Sequence, residues 1–321
     1  MRKILITGAK GFVGKHLVDA FFKQPYLNQY EIFQYREDIT DSYALSNFFS
    51  FIQPDYVYHL ASASSDKLSH YKRAQNYAAN IVGTANIVNC CVNYNVKRLI
   101  FTSSNAVYNP ELRDCDETTR DLYPMSPYGV AKLASEFDII NANRVFDLPY
   151  TILRLHSVYG PDQKYLFHKN IMSNLIHSIN NGIEIPIYGD GNQYLQFTYV
   201  EDLVEPMIKL LGNMHSWNQI YNFGSQYGHS LLSVVNKIEI FLNKKAKINF
   251  IKTKLPIKSG HILHFKERED LVWDESKETS IQVGISKCCQ EMEQICYTDG
   301  AFPPKPDLNL EILKNIPENW K

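Results

Sequence analysis

The apolar run Lys3-Ile4-Leu5-Ile6-Thr7 passes directly into Gly8-Ala9-Lys10-Gly11-Phe12-Val13-Gly14, and then into an amphipathic stretch ending at Phe22. A strand, a glycine-spaced turn and a helix in that order leave few folds open. Gly8 permits the tight turn, Gly11 lets backbone N–H groups approach a pyrophosphate, and Gly14 lets the helix pack close to the strand. The start of the helix adds partial positive charge at the same place. Phe12 and Val13, in its first turn, complete the phosphate-facing set with the three glycines.

Further strand-like runs follow at Tyr30 to Tyr35, Asp55 to Leu60, Arg98 to Thr102 and Tyr150 to Leu155. Helical patterns at Ala74 to Asn93 and Tyr128 to Ala142 lie between them. The alternation predicts an α/β fold, a Rossmann-type doubly wound parallel sheet with a smaller C-terminal α/β substrate lobe. Non-alternating apolar strands fit burial on both faces. Gln196 to Val200 and Gln219 to Phe223 are expected to return to the main sheet. The lobe should hold helices at Asn170 to Asn180 and Ser230 to Leu242, a strand near Ile248 and an irregular tail. Lys254 to Asp270 reads as a solvated loop. The expected division is 1–163 with 193–226 for the dinucleotide domain, and 164–192 with 227–321 for the lobe.

The chain's 321 residues suffice for a large buried core, and 45% hydrophobic with 21% charged residues is ordinary for a soluble globular protein. A formal net charge of -1 points to neither a nucleic-acid nor a membrane partner. No apolar run reaches the roughly 18 residues of a membrane span. The six cysteines, Cys90, Cys91, Cys115, Cys288, Cys289 and Cys296, form no zinc-type spacing. They read as reduced thiols of a cytoplasmic protein, with Cys90 and Cys91 in the core, and no metal site is expected. A strand from Lys3 leaves no room for a signal peptide.

Tyr128 and Lys132 stand one helical turn apart, downstream of Thr102-Ser103-Ser104. A neighbouring ammonium favours the ionised phenol and suits the pair to proton transfer at a hydride-transfer site. The same spacing also occurs on plain surface helices. The second strand ends Gln34-Tyr35-Arg36, without the acid that usually accepts the ribose hydroxyls. Arg36 suits a 2'-phosphate, which favours NADP(H), with NAD(H) the alternative if Arg36 faces water or stacks on adenine.

With these residues in place, the chain resembles the extended short-chain dehydrogenase/reductase family, in its NAD-dependent epimerase/dehydratase branch acting on nucleotide sugars. The likeness spans nearly the whole length. It rests on Gly8 to Gly14, Asp38-Ile39-Thr40-Asp41, His59-Leu60-Ala61-Ser62, Asn80 with Gly83-Thr84, Thr102 to Tyr108 and Tyr128 to Lys132. Arg154 to Pro161, Gly189-Asp190-Gly191, Tyr199-Val200-Glu201-Asp202 and Tyr221-Asn222-Phe223-Gly224 complete it. The resemblance implies that Ser104 holds the reacting sugar oxygen, Tyr128 exchanges its proton, and Lys132 holds the nicotinamide ribose while lowering the tyrosine pKa. Asp38 and Ile39 would meet the adenine. Leu60, Ala61 and Ser62 would line the pyrophosphate and ribose, with Asn80 and Thr102 nearby.

Departures from the family pattern narrow the reaction. Dehydratases resemble one another in an Asp-Glu pair after the serine, and 3,5-epimerizing members carry a cysteine in that segment; this chain has Asn105 and Ala106. A 4-keto-6-deoxy sugar nucleotide reductase, GDP- or CDP-linked, is the favoured reading because of Arg36. A 4-epimerase is the alternative, followed by a non-catalytic NADPH sensor or a reductase of small carbonyl compounds. Leu195 stands where an arginine commonly grips the substrate diphosphate, and Ser157 where an asparagine is common. Expected substrate contacts are Ser104, Asn105, Ser157, Lys169 and Tyr188, with Lys164 and Lys258 as further cations. Phe167, His168 and Tyr194 offer aromatic faces, and His156 reads as a packed histidine donating to a carbonyl. By the same resemblance, the helices Ala74 to Asn93 and Tyr128 to Ala142 would pair in a homodimer.

Overall fold

Six parallel strands form the central sheet: β1 (Arg2–Thr7), β2 (Tyr30–Tyr35), β3 (Tyr56–His59), β4 (Arg98–Ser104), β6 (Tyr150–Leu155) and β11 (Gln219–Phe223). Their order is β11-β6-β4-β3-β1-β2. The computed structural model describes residues 1–23, 25–26, 28–112, 114–163, 171–252, 262–264 and 273–299. Ile4, Leu5 and Ile6 have no exposed surface, because both faces of the sheet are covered.

Successive side chains point to opposite faces. Ile4, Ile6, Tyr58, Ile100 and Leu153 pack with α1 (Phe12–Phe21) and α8 (Val200–Lys209). Leu5, Val57, Leu99, Phe101 and Ile152 pack on the other side with α2 (Ser42–Ile52), α5 (Gly83–Asn93) and α6 (Pro127–Phe146). Cys90 and Cys91 belong to this second layer, and Cys90, Cys91, Cys115, Cys288 and Cys289 are buried and form no disulfide. The chain passes from β1 outward to β2, then crosses back to place β3 on β1's other side. That reversal opens a crevice at the carboxyl ends of β1 and β3.

The expected helix from Ala74 to Asn93 is interrupted. After α3 (Asp66–Ser69) comes α4 (Arg73–Tyr77), then a π turn over Ala78–Val82, and only then α5. The hydroxyls of Thr84 and Ser135 both donate to the Asn80 carbonyl, at 2.6 and 2.8 Å, and so compete for an acceptor of the regular ladder.

A third apolar cluster joins α7 (Ile171–Asn180), α9 (Leu231–Leu242) and α10 (Ile281–Asp299). It is flanked by a parallel pair, β8 (Glu184–Tyr188) and β13 (Lys247–Ile251). Gln196 to Val200 does not return to the main sheet. It divides into β9 (Tyr194–Gln196), paired with β12 (Gly228–Ser230), and β10 (Thr198–Tyr199), paired with β7 (Val158–Tyr159), before Val200 starts α8. The reason is burial: Phe197 and Tyr199 sink into the third cluster together with Tyr159. A last short pair joins β5 (Asp114–Cys115) to β14 (Ile262–Leu263). The expected irregular tail contains α10, whose Ile281, Ile285, Cys288 and Cys289 share a face at helical spacing and enter the same cluster.

Candidate functional site

A cleft of about 850 Å³ opens at the carboxyl ends of β1, β3, β4 and β6. The sequence places its candidates far apart along the chain, yet Gly8, Gly11 to Gly14, Leu60 to Ser62, Thr102, Ser104, Asn105, Tyr128, Lys132 and Ser157 all line this one space. Leu195 lines it as well.

The glycine turn is packed so closely that larger residues have no place in it. A Cβ on Gly8, whose φ is +70°, would stand 2.5 Å from Ala61 N, and one on Gly14 would run into Gly8 O and lie 2.9 Å from Ala9 Cα. Gly11 N donates to Gly8 O at 2.8 Å, closing the turn. Gly11 is the N-cap of α1 and no side chain caps that helix, so its first-turn N–H groups face the cleft as anion donors. These residues fit the pyrophosphate of a dinucleotide.

Behind the turn runs a directional chain of hydrogen bonds. Thr84 Oγ1 spends its hydrogen on Asn80 O, so the 3.0 Å contact with His59 Nε2 requires that nitrogen to donate. His59 Nδ1 then accepts from Thr7 Oγ1 at 2.8 Å, and Thr7 Oγ1 accepts from Ala61 N at 3.3 Å. Burial, helped by the charge of Lys132, holds the His59 pKa down at about 3, so the ring is neutral, as this chain requires. Asn80 does not line the cleft. Its Oδ1 accepts from Ser62 Oγ at 3.0 Å and Ala63 N at 2.9 Å, and it acts by shaping the loop after β3. The sequence contained Thr7 and His59 in plain view, but nothing local showed that they meet.

Helix α6 brings Tyr128 and Lys132, the pair expected to react, into the cleft. Ser126 caps it by accepting from Gly129 N at 3.1 Å, and Pro127 suits its first turn. Gly129 lies against Ala106 O so tightly that a Cβ would collide with it, which draws Tyr128 to the end of β4. Tyr128 hydrogen-bonds with Ser104 and with Ser62. Ser104 Oγ also accepts from Ala106 N at 3.1 Å, which fixes the hydroxyl above the strand end.

The expected lowering of the tyrosine pKa by Lys132 is not found. Burial pushes Tyr128 up to about 12, the negative charge of Asp66 adds to this, and the bonds to Ser104 and Ser62 only partly offset it. Lys132 is pulled down to about 7 by burial, against the opposing charge of Glu136. Its Nζ donates to Thr102 O at 2.8 Å. Two desolvated groups each favour their neutral form, and this outweighs their proximity.

Beneath the serine, Arg154 and Glu136 form a buried ion pair at 2.7 Å. Ser103 Oγ donates to the same carboxylate, and Arg154 Nη1 donates to Tyr108 Oη at 2.9 Å, which in turn donates to Asn222 Oδ1 at 2.7 Å. None of these side-chain atoms is buried without a hydrogen-bond partner, so the loop carrying Asn105 and Ala106 rests on a well-connected base.

Several expected contacts lie elsewhere. Arg36 is exposed and donates to Gln34 Oε1 at 3.0 Å, outside the cleft lining. Asp38 Oδ1 accepts from Thr40 N at 2.9 Å, and Ile39 is buried in the apolar layer against Gly83. Tyr188 points outward from β8, 52% exposed and off the cleft, because the alternation of that strand sends Ile185 and Ile187 inward instead. Lys164, Phe167, His168, Lys169 and Lys258 lie outside the described residues. His156 Nε2 meets Ser225 O at 2.9 Å, as a packed histidine should. Two acidic positions escaped the sequence reading: Asp162, paired with Lys15 at 2.6 Å, and Asp66, both lining the cleft. Among the described residues no cluster of His, Cys, Asp or Glu is arranged to hold a metal, and no helix is long and apolar enough to cross a membrane.

Comparison with known proteins places this geometry. The model of the NAD dependent epimerase/dehydratase family matches residues 4–224. A Bacillus subtilis protein named as an uncharacterized UDP-glucose epimerase is 31% identical over 77% of this chain and 84% of its own length. The structure of UDP-glucose 4-epimerase from Thermotoga maritima with UDP-glucose superposes with a TM-score of 0.81 at 25% identity, covering 91% of this chain and 99% of that one. UDP-glucuronic acid 4-epimerase from Bacillus cereus, in complex with UDP-glucuronic acid and NAD, gives 0.77 at 26% identity over 91% and 99%.

Proposed function

Since the chain belongs to the NAD-dependent epimerase/dehydratase family of nucleotide-sugar enzymes, we propose that it is a UDP-sugar 4-epimerase working with bound NAD. The observation that carries this reading is the segment that follows Ser104 in the cleft: Asn105 and Ala106 supply neither an acid nor a base there. Expelling a sugar hydroxyl needs a further acid and base, whereas moving a hydride away from one carbon and back needs none.

The GDP- or CDP-linked reductase favoured on sequence is set aside in favour of its alternative. Its main support was Arg36, which stands exposed beside Gln34, and the relatives named above are UDP-sugar epimerases, one of them solved with NAD. The same points favour NAD over NADP.

In this reading Tyr128 would take the proton of the sugar C4 hydroxyl as its phenolate, a form that the positive charge of a bound nicotinamide would favour against the burial that raises its pKa, and Ser104 Oγ would hold that oxygen as it becomes a carbonyl. The dinucleotide, when bound along Gly8 to Gly14, supplies the hydride acceptor. Lys132, fixed by Thr102 O, meets the nicotinamide ribose; Leu60 to Ser62 line the pyrophosphate and ribose. The ketone would then turn its other face to the site, C4 would take back the hydride held by the reduced dinucleotide, and Tyr128 would return the proton to the oxygen. Segments 164–192 and 227–321 hold the nucleotide side. Exposed Val82, Phe137 and Phe146 on the α5 and α6 flank suit a homodimer contact.

The test is incubation of the purified protein with UDP-glucose and no added reduced cofactor. Conversion to UDP-galactose without net change in NADH absorbance is expected. Stoichiometric consumption of NADPH with a 4-keto sugar nucleotide, and no interconversion, would return the reductase.

A further inference from the structure

The geometry points to Lys15, Asp162 and Glu291 as positioning residues that fasten a strap across the mouth of the dinucleotide cleft, so that the cofactor stays bound while sugars enter and leave. This rests on the 4-epimerase reading for the need to keep one dinucleotide through many turnovers. The strap is Gly160-Pro161-Asp162-Gln163, directly after β7. In the sheet, β6, which feeds it, is separated from β1 by β4 and β3. A tie from this segment to α1, the helix after β1, therefore passes over the strand ends where the cleft opens.

Two ties run to α1. Lys15 Nζ meets Asp162 Oδ2 at 2.6 Å, and His16 Nε2, its ring set edge-on against Phe12, donates to Pro161 O at 3.2 Å. A third runs to α10, where both carboxylate oxygens of Glu291 accept from Asp162 N at 2.7 Å. Glu291 follows shortly after Cys288 and Cys289, which are buried in the third cluster, so the core of the lobe anchors it. Asp162 has φ +63°, a left-handed conformation that aspartate tolerates; its N–H reaches α10 while its carboxylate reaches α1. Lys15, Asp162 and Gln163 line the cleft beside the glycine turn, and Glu291 is not among the lining residues. An ion pair half open to water holds little by itself. Joined to a charged acceptor on a buried helix, it ties the strap from both sides.

The test uses the full-length chain loaded with radiolabelled NAD, then chased with unlabelled NAD in the absence of sugar. Asp162→Asn keeps the left-handed turn and removes the charge, and Glu291→Ala removes the acceptor on α10. Release should quicken by about fivefold in each. Lys15→Arg, which keeps the pair, should stay within about twofold of the parent. If Lys15 instead gripped the pyrophosphate directly, Asp162→Asn would free it and slow release, and Glu291→Ala would change nothing. Either result overturns the strap, as does a chain that takes up neither NAD nor NADP; a chain that takes up NADP alone is chased with NADP and judged by the same ratios. Interconversion of UDP-glucose is read separately. Its absence with the release pattern intact removes the 4-epimerase reading and leaves the strap as a cofactor clasp.

Discussion

Lys132 Nζ donates to Thr102 O at 2.8 Å and stands 5.9 Å from the centre of the Tyr128 ring. The ammonium is thus tied to β4, the strand that ends in Ser104, and burial lowers its pKa to about 7. Between pH 7 and the ordinary lysine range the unfolded chain binds the proton that the folded chain has released. Stability therefore rises with pH across that window, and the contribution is flat below it. Urea unfolding of the wild type and Lys132→Met at pH 7.0 and 8.5, where the thiols contribute equally to both proteins, should show the difference moving toward the wild type at the higher pH. A pH-independent difference would contradict the lowered pKa.

Tyr128→Phe removes the proton-transfer group and leaves the ring in its packing. Interconversion of UDP-glucose should fall by roughly a thousandfold, while the amount of NAD co-purifying with the protein is kept. Activity within a few-fold of the parent would exclude Tyr128 as the acid and base.

Gly14→Ala drives a methyl into Gly8 O and the Ala9 Cα. Because backbone, not a flexible side chain, must yield, we expect a loss of about 1–3 kcal/mol in chemical unfolding. NAD affinity should fall as well, since the turn that yields is the one that faces the pyrophosphate. Unchanged NAD titration would separate the turn from cofactor binding.

Glu136→Gln leaves the Arg154 guanidinium buried, 3% exposed at the side chain, without its counter-charge. Breaking such a pair from one side costs about 3–5 kcal/mol. Urea unfolding should show that loss, and the double variant Glu136→Leu/Arg154→Met should recover much of it. A double variant no more stable than the single one would mean that Ser103 and Tyr108, not the ion pair, hold the network together.

Much of the fold was legible in the linear chain because its signals are local. The boundaries of β2 and β6 follow directly from apolar runs, and the glycine turn announces its strand and helix through the spacing of three residues. The same holds for Tyr128 and Lys132, which share one helix. Gln196 to Val200 was misread because a short apolar run does not reveal which of two sheets will bury it. The tail helix was missed although Ile281, Ile285, Cys288 and Cys289 carry its period, since charged residues interrupt the pattern. Tyr188 failed for a related reason: an aromatic side chain on a strand faces the site or the solvent according to register alone.

The sequence by itself determined the doubly wound sheet, the phosphate turn and the shared helical face of Tyr128 and Lys132, because backbone geometry and helical spacing act over a few residues; Ser104 was singled out by the family resemblance. Only the tertiary structure decided which groups meet across long separations: Thr7 and Thr84 with His59, and Arg154 with Glu136. It also decided the protonation of the site. Desolvation arises only when the whole chain closes around a group, and it raises Tyr128 and lowers Lys132 where their spacing alone argued for the reverse.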